Sequence, residues 1–269
     1  MFPRIVEIGP FSLYSFGLMV ILGFGAGMWL AARLAKRRGL PGDAFLDAAV
    51  IILFASVAGA RLLFVLLNWK DYSHQLAEVA ALWRGGMSFH GGVIAGVAAG
   101  VFYMRRHKIP VLAMADAAAP GIALGYAIGR IGCFLNGCCY GGPTDLPWGV
   151  HFPGAAPGVH LHPTQIYAML ANLALCALLA RAYLRPHRVG QIIALYVGGY
   201  SLYRFLVESL RKGYTADVMA LGLTEAQVFS LVSFAAGVIW WFWLQRNREP
   251  LPAAAGRPAE VPQDAVPSS

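Results

Sequence analysis

The sequence predicts an all-α integral membrane protein with about seven transmembrane helices. Of its 269 residues, 58% are hydrophobic and 13% are charged, whereas a soluble domain carries roughly 25% charged residues. The apolar residues also fall in runs close to the about 20 residues that a helix needs to cross a bilayer. Basic residues cluster after every second run. Together these observations exclude a disordered chain, a small disulfide scaffold and an ordinary soluble enzyme.

Seven apolar runs define the predicted helices, and together they are rich in Gly and Ala, which let helices pack closely in lipid. The spacing of Gly92, Gly96 and Gly100 favours such packing. The first run is long for a signal peptide and no A-x-A-like cleavage site follows it, so we expect it to be retained. The runs cover residues 12–32, 44–67, 88–104, 110–129, 164–184, 190–209 and 224–244.

The positions of the basic residues predict the orientation. Twelve of the 21 Lys and Arg residues follow runs one, three, five and seven, and the positive-inside rule places such boundaries in the cytoplasm. The N-terminus is then periplasmic and the C-terminus cytoplasmic, so the net charge of +8 indicates topology rather than nucleic-acid binding. These residues are Arg33, Lys36, Arg37, Arg38, Arg105, Arg106, Lys108, Arg181, Arg185, Arg188, Arg246 and Arg248.

We expect one polytopic membrane domain over residues 1–248 and a disordered, Pro- and Ala-rich cytoplasmic tail over 249–269. Three segments are predicted on the outer side: 68–87, which has the mixed polarity of a surface amphipathic helix, 130–163, and 210–223. A connection as long as 130–163 is usually functional or disordered in a compact protein. The Gly-rich elements do not recur symmetrically, so we find no convincing internal repeat.

Polar side chains at membrane depth are the most informative, because each costs free energy there. The predicted topology places His90, Arg130, Arg204 and Glu208 near the outer leaflet. Arg204 and Glu208 are four residues apart and therefore share one helix face. Two arginines and a histidine at one leaflet would bind an anion, and a lipid phosphate is the nearest abundant one. The planar guanidinium suits phosphate because it donates two parallel hydrogen bonds.

Each of these residues also has a structural alternative. Arg204 and Glu208 could neutralise each other within the helix bundle, and Arg61, inside the second run, could extend to the outer surface. His90 could bond a backbone carbonyl at the interface. Arg130 lies in a predicted Gly-flanked turn, where a purely structural role is harder to justify.

Three cysteines, Cys133, Cys138 and Cys139, lie within seven residues of the predicted outer loop. The outer side of a bacterial inner membrane is oxidising, so a disulfide is plausible, and pairing Cys133 with one of the others avoids a strained vicinal ring. Three histidines follow in the same loop and make zinc the alternative, but the spacing matches no standard structural pattern. We expect no metal, and we expect Cys176 to be an ordinary buried side chain.

At these residues the sequence resembles the prolipoprotein diacylglyceryl transferase family, from about Ile8 to Trp243. Each motif alone is weak, but their order on a seven-helix plan is specific. The landmarks are Phe16-Gly17-Leu18-Met19, Gly59-Ala60-Arg61-Leu62, Ser88-Phe89-His90-Gly91-Gly92, Asp116-xxx-Pro120, Gly129-Arg130-Ile131-Gly132, His162-Pro163-Thr164-Gln165-Ile166-Tyr167, Arg204-Phe205-Leu206-Val207-Glu208 and Gln227.

The resemblance implies transfer of the diacylglyceryl group of phosphatidylglycerol to the lipobox cysteine thiol of a preprolipoprotein, without a cofactor. The products would be a thioether and glycerol phosphate. Such chemistry needs a base or positive field to make the thiolate and cations to stabilise the leaving phosphate. The alternatives are a divergent paralogue with another acceptor and a non-catalytic protein that binds anionic membrane lipid. A thiol oxidoreductase is less favoured, because the chain lacks a C-x-x-C pair.

The resemblance also implies roles for individual residues. His90 would deprotonate or position the thiol, Arg204 would stabilise the phosphate, and Glu208 would orient Arg204. Arg130 would bind the lipid headgroup. The remaining predicted substrate-binding positions are Arg61, Asn136, Gly141 and Tyr200.

The chain departs from the family pattern at four positions. Cys133 stands where the family commonly has Asn, and Cys138 stands where it commonly has an acidic residue. Phe16 replaces a common Tyr, and Ala168 replaces a common Glu. These departures remove hydrogen-bonding groups from around the expected site.

Overall fold

The computed structural model describes residues 4–8, 11–73, 78–79, 81, 85–153, 155–211, 213–214, 216–219, 222–247 and 250–251. Within these ranges the chain forms eight α-helices and two small antiparallel sheets. The elements are β1 (Arg4–Ile8), β2 (Phe11–Tyr14), α1 (Ser15–Lys36), α2 (Asp43–Leu67), α3 (Trp69–Tyr72), α4 (Phe89–Arg106), α5 (Val111–Asn136), α6 (Thr164–Leu184), β3 (His187–Arg188), α7 (Gln191–Ser209), α8 (Glu225–Asn247) and β4 (Pro250–Leu251).

Each of the seven predicted runs corresponds to a long helix. In the described part of the chain, five of them are long and apolar enough to cross a membrane, namely α1, α2, α5, α6 and α8. Of the other two, α4 has 18 residues and ends on Arg105 and Arg106, and α7 has 19 residues and carries Arg204 and Glu208. The prediction of a largely helical, multi-pass membrane protein is confirmed, while the number of seven spans and the orientation stay predictions.

The end of α5 corrects one predicted boundary. The sequence places Arg130 in a turn after residue 129, but the helix continues to Asn136. A single Gly costs a helix only about 1 kcal/mol, and Gly132 is needed where α1 passes, since a Cβ there would lie 3.0 Å from Cβ of Met19. The helix stops at Gly137, whose φ of 71° gives a left-handed cap. The connection between α5 and α6 therefore begins at residue 137 rather than 130.

A β-hairpin precedes α1, which the all-α prediction does not include. Phe11–Tyr14 pairs antiparallel with Arg4–Ile8, so the helix begins at Ser15 rather than at residue 12. The short segment of alternating apolar and polar residues before Ser15 has the two-residue period of a strand. The hydrophobicity of this segment is continuous with that of α1, and this explains why the sequence places the start of the helix at residue 12.

The chain divides into two compact units, one formed by residues 41–114 and the other by residues 1–40 together with 115–269. In the first unit α2 and α4 pack through small residues. A Cβ added at Gly92 would lie 3.3 Å from the carbonyl oxygen of Ser56, and one at Gly100 would lie 3.3 Å from Cδ1 of Ile52. The predicted role of the Gly92, Gly96 and Gly100 series in close helix packing is thereby confirmed.

In the second unit α1 and α5 are in backbone contact. A Cβ at Gly23 would lie 2.6 Å from the carbonyl oxygen of Gly125, and one at Gly27 would lie 2.6 Å from that of Gly121. In the same unit α7 packs against both α6 and α8. Close approach of backbones without large side chains is the usual way in which helices pack in lipid.

Asp116 ties α5 to α7. Its carboxylate, which is 1% exposed, accepts hydrogen bonds from the backbone N–H of Gly190 at 2.6 Å and of Ile193 at 2.9 Å. These groups begin α7 and have no acceptor within that helix, so the side chain caps the helix from a neighbouring one. The cap fixes where α7 starts relative to α5, and hence which residues of the two helices meet farther along.

The predicted cytoplasmic tail, residues 249–269, lies outside the described residues except for Pro250 and Leu251. These two pair with His187 and Arg188 at the connection between α6 and α7. The disorder predicted for 252–269 stays a prediction.

Candidate functional site

A small cleft lies in the second unit, where α5, α6 and α7 meet. Three guanidinium groups and one thiol line it, together with small and aromatic side chains. The lining residues are Tyr126, Arg130, Cys139, Thr164, Ala168, Tyr203, Arg204, Val207 and Arg211. Two of the arginines that the sequence predicts to converge, Arg130 and Arg204, therefore share one cavity.

Arg130 is held by an aromatic cluster. Its guanidinium donates a hydrogen bond to the hydroxyl of Tyr126, one helical turn earlier, and lies over the same ring at 4.6 Å from the centroid. Tyr126 in turn packs edge-on against Tyr200 at 5.4 Å and Tyr203 at 6.3 Å between centroids. Edge-to-face contacts and a cation–π contact each restrict rotation of the groups involved. The cluster therefore orients Arg130 at the cleft, and Tyr200 contributes to this indirectly.

Glu208 binds two arginines. Oε2 accepts a hydrogen bond from Nη1 of Arg204, the predicted partner, and another at 3.1 Å from Nη1 of Arg211. The carboxylate side chain is only 4% exposed, against 19% for Arg204 and 12% for Arg211. The predicted pairing of Arg204 with Glu208 on one helix face is confirmed. Because three guanidiniums line the cleft and a single carboxylate pairs with two of them, the site keeps an excess of positive charge.

The three loop cysteines come together beside this cleft. Cys133 lies on α5 one turn after Arg130, and the sulfur atoms of Cys133, Cys138 and Cys139 all lie within 4.8 Å of one another. The Sγ atoms of Cys138 and Cys139 are 3.6 Å apart. All three are free thiols in the structure, rather than the disulfide that oxidising surroundings favour. The helix cap at Gly137 is the reason for the cluster, because it turns the chain back so that the amide of Cys138 donates to the carbonyl of Cys133 at 3.2 Å.

Cys139 differs from its neighbours in backbone and in acidity. Its φ is 67°, a left-handed conformation that costs a residue with a side chain about 1 kcal/mol or more. A hydrogen bond with the Cys133 thiol lowers the pKa of Cys139 to about 5, and the charges of Arg211 and Arg130 add to this effect. Burial, in contrast, raises the pKa of Cys138. Cys139 is therefore the thiol of the cluster that most readily becomes a thiolate.

The first turn of α6 holds the two loop cysteines in place. Thr164 Oγ1 donates to the carbonyl of Cys139 at 2.7 Å, and Gln165 Nε2 donates to that of Cys138 at 2.6 Å. Both donors are buried. The motif from His162 to Tyr167 thus positions the thiols, a role that no sequence pattern indicates.

Gly141 and Asn136 shape the same loop. The amide of Gly141 donates to the carbonyl of His162 at 2.9 Å, and a Cβ at Gly141 would lie 2.7 Å from the carbonyl oxygen of Leu210. Asn136 ends α5 and its side chain hydrogen-bonds the Cys138 thiol. Both residues support the loop, and direct binding of substrate by either one stays a prediction.

Replacing Gly141 with Ala should destabilise the protein by about 1–3 kcal/mol, because the methyl group forces apart two packed backbone segments. Thermal unfolding of the purified protein in detergent measures this effect. Gly129→Ala is the matched control, since a Cβ there meets nothing within 4 Å. Equal midpoints for the two variants would contradict the close contact at Gly141.

Arg61 and His90 lie in the other unit, residues 41–114. Arg61 is 4% exposed and donates to the backbone carbonyls of Glu78, Val79, Gly85 and Gly86. These contacts support a role in anchoring the loop after α3, and substrate binding by Arg61 stays a prediction. His90 is exposed in the first turn of α4, and its role toward a thiol also stays a prediction.

Sequence reasoning did not single out Arg211 or Tyr126 as functional residues, and it named Cys139 only as a member of the cysteine cluster. Arg211 had a signal, because a basic residue in the predicted outer segment 210–223 opposes the positive-inside rule and lies three residues after Glu208. Tyr126 lies four residues before Arg130 and could have been found by the same spacing. The position of Cys139 in the cleft depends on contacts between α6 and the loop, which no local pattern reveals.

The family model for prolipoprotein diacylglyceryl transferase matches residues 3–243. The chain belongs to this family. Membership in the prolipoprotein diacylglyceryl transferase family covers both compact units and every residue of the cleft, and it confirms the resemblance found in the motifs.

Curated relatives agree with the family assignment. A phosphatidylglycerol–prolipoprotein diacylglyceryl transferase of Synechococcus elongatus is 38% identical, over 96% of this chain and 92% of the relative. A protein of the same name from Gloeobacter violaceus is 37% identical, over 91% of this chain and 93% of its own length. Another from Trichormus variabilis is 33% identical, over 96% of this chain and 95% of its own length. The chain therefore matches these prolipoprotein diacylglyceryl transferases over nearly their full length.

Proposed function

We propose that this chain transfers the diacylglyceryl group of phosphatidylglycerol to the lipobox cysteine thiol of preprolipoproteins, the first step of bacterial lipoprotein maturation. The observation that carries the proposal is the cleft, which Arg130, Arg204 and Arg211 line, while the buried carboxylate of Glu208 pairs with the last two of them. Such a cavity suits a phosphate group, and the named relatives act, by their names, on phosphatidylglycerol and prolipoprotein.

The reaction makes one bond and breaks one. The thiolate sulfur attacks the carbon of the diacylglyceryl group that bears the phosphate. A carbon–sulfur bond forms as the bond between this carbon and the phosphate oxygen breaks. Glycerol phosphate leaves with the electron pair and gains a second negative charge. Arg130 binds the phosphate and stabilises the negative charge that it gains, and Arg204 meets the charge that develops on the leaving oxygen. The excess of positive charge in the cleft therefore favours the transition state over the bound lipid.

The remaining predicted residues support these two arginines. Glu208 orients Arg204 together with Arg211, and Tyr200 supports Arg130 through Tyr126. In the proposal, His90 positions or deprotonates the acceptor thiol. Asn136 and Gly141 shape the loop beside the cleft, and Arg61 anchors the loop after α3 within residues 41–114.

The proposal includes the membrane arrangement. Seven helices would span the bacterial inner membrane as one polytopic domain over residues 1–248, with a periplasmic N-terminus. A disordered cytoplasmic tail would follow this domain. The basic clusters at alternate helix ends support this orientation. The cleft would then open near the outer leaflet, where phosphatidylglycerol and the membrane-inserted lipobox peptide both reach it.

Expression of this chain in bacteria depleted of their own transferase should restore prolipoprotein maturation. The measurement is the mass of a reporter prolipoprotein, which should increase by one diacylglyceryl group on its lipobox cysteine. A reporter with Ser in place of that cysteine is the control and should remain unmodified. Good membrane insertion without any modification of the reporter would refute the proposal and favour a lipid-binding protein without chemistry or another acceptor.

A further inference from the structure

The thiols of Cys133, Cys138 and Cys139 have the geometry of a three-sulfur metal site. Zinc binds thiolates at about 2.3 Å with tetrahedral angles, which separates neighbouring sulfur atoms by about 3.8 Å. The three sulfurs here lie within 4.8 Å of one another, and two of them are 3.6 Å apart. A disulfide, in contrast, would use two of the sulfurs and leave the third unpaired.

The surroundings fit a site with a fixed frame and one open side. The carbonyls of Cys138 and Cys139 are held by buried Gln165 and Thr164 at 2.6 and 2.7 Å, and the left-handed backbone at Cys139 is maintained despite its cost. Strained backbone that is held by buried hydrogen bonds is typical of functional sites. Cys139 lines the cleft, so one side of the cluster faces the cavity that contains the arginines.

Charge and chemistry favour a cation at this place. A zinc ion with three thiolates has a net charge of −1, which the excess positive charge of the neighbouring guanidiniums offsets. Among the described residues that line the cleft, none is a carboxylate or an imidazole, and Glu208 is bound by two arginines. The acceptor thiol must nevertheless lose its proton, and coordination to a metal ion achieves this outright.

We infer that Cys133, Cys138 and Cys139 bind one zinc ion, whose fourth position takes the thiol of the acceptor cysteine as a thiolate next to the phosphate-binding arginines. Three protein ligands and one open position are the arrangement of catalytic zinc sites. The inference rests on the proposed function for the identity of the acceptor, and it adds a metal that the sequence pattern did not predict.

The acceptor thiol binds zinc and releases its proton to solvent, and no oxidation state changes. The bound sulfur attacks the glyceryl carbon, the carbon–oxygen bond to phosphate breaks, and the electron pair leaves on glycerol phosphate. The thioether product is a weaker zinc ligand than a thiolate because it is neutral, so it dissociates and the fourth position opens again.

Metal analysis of the full chain, purified in detergent with its thiols reduced, tests the site. We expect about one zinc ion per chain, and replacement by Co²⁺ should give the sulfur-to-cobalt charge-transfer absorption of a thiolate site. Cys133→Ser, Cys138→Ser and Cys139→Ser should each lose the metal, whereas Cys176→Ser, in the middle of α6, should keep it. Equal metal content in the wild type and in a variant without all three cysteines would overturn the site.

A lipobox peptide tests the fourth position. Its addition to the cobalt protein should increase the charge-transfer absorption, while the same peptide with Ser for Cys should leave the spectrum unchanged. No response to the thiol peptide would overturn the assignment of the acceptor.

Removal of zinc by a chelator should abolish transfer, and added zinc should restore it. Full transfer by metal-free protein would overturn the inference and leave the proposed function intact. A cobalt response to the thiol peptide without prolipoprotein modification would support the site and refute the proposed function.

Discussion

Replacing Arg130 with Ala should reduce the rate of diacylglyceryl transfer by about 10²–10³-fold, the loss expected when one oriented donor to a developing oxyanion is removed. Arg130→Lys should recover only part of this loss. It keeps the positive charge, but an ammonium group cannot give the two parallel hydrogen bonds of a guanidinium or keep the same contact over the ring of Tyr126. Transfer from phosphatidylglycerol to a lipobox peptide by purified protein measures both effects.

Folding must be separated from catalysis in this experiment. Arg181→Ala is a matched control, because Arg181 is exposed in the last turn of α6 and far from the cleft residues along that helix. Both variants should insert into the membrane and unfold at temperatures close to that of the wild type. Full transfer activity in Arg130→Ala, with normal insertion, would show that Arg130 does not bind the phosphate.

The long helices could be predicted from the sequence because hydrophobicity is a local property that accumulates over about 20 residues. Their ends are less predictable. The end of α5 nevertheless had a local signal, since Gly137 follows the last helical residues and Gly is the usual residue of a left-handed cap. Gly129 and Gly132 instead predict a turn around Arg130, but the small size of Gly132 serves packing against α1.

The candidate site could be predicted only where its geometry follows from helical spacing. Arg204 and Glu208 share a face because they are four residues apart, and the structure has them paired. Cys139 reaches the cleft because Thr164 and Gln165, which lie about 25 residues farther along, hold the loop. Contacts over such separations in sequence have no periodic signature, which explains why the sequence indicates the thiols but not their position.

Glu208→Gln should be the most destabilising single change in the cleft, with a loss of about 3 kcal/mol. Removal of one partner from a buried ion pair leaves the other charges uncompensated, and here a single carboxylate serves both Arg204 and Arg211. Gln has nearly the same shape, so the change tests the charge rather than the packing. Transfer should also slow by about 10²-fold, because a misplacement of a catalytic group by about 1 Å has that effect. The unfolding midpoint in detergent and the transfer rate are the two measurements.

A double variant separates the network from a simple loss of charge. The double variant carries both Glu208→Gln and Arg211→Gln, and it therefore has fewer uncompensated guanidiniums than Glu208→Gln alone. Its loss of stability should be smaller than the sum of the losses in the two single variants, by about 0.5–3 kcal/mol. Glu225→Gln, at the exposed start of α8, is the control and should behave as the wild type. Additive losses, or equal midpoints for Glu208→Gln and Glu225→Gln, would show that Glu208 does not join the two arginines. If the double variant regains the unfolding midpoint of the wild type but not its transfer rate, Arg211 takes a direct part in phosphate binding. Stability would then depend on the charge balance, and the transfer rate would depend on the number of guanidiniums at the cleft.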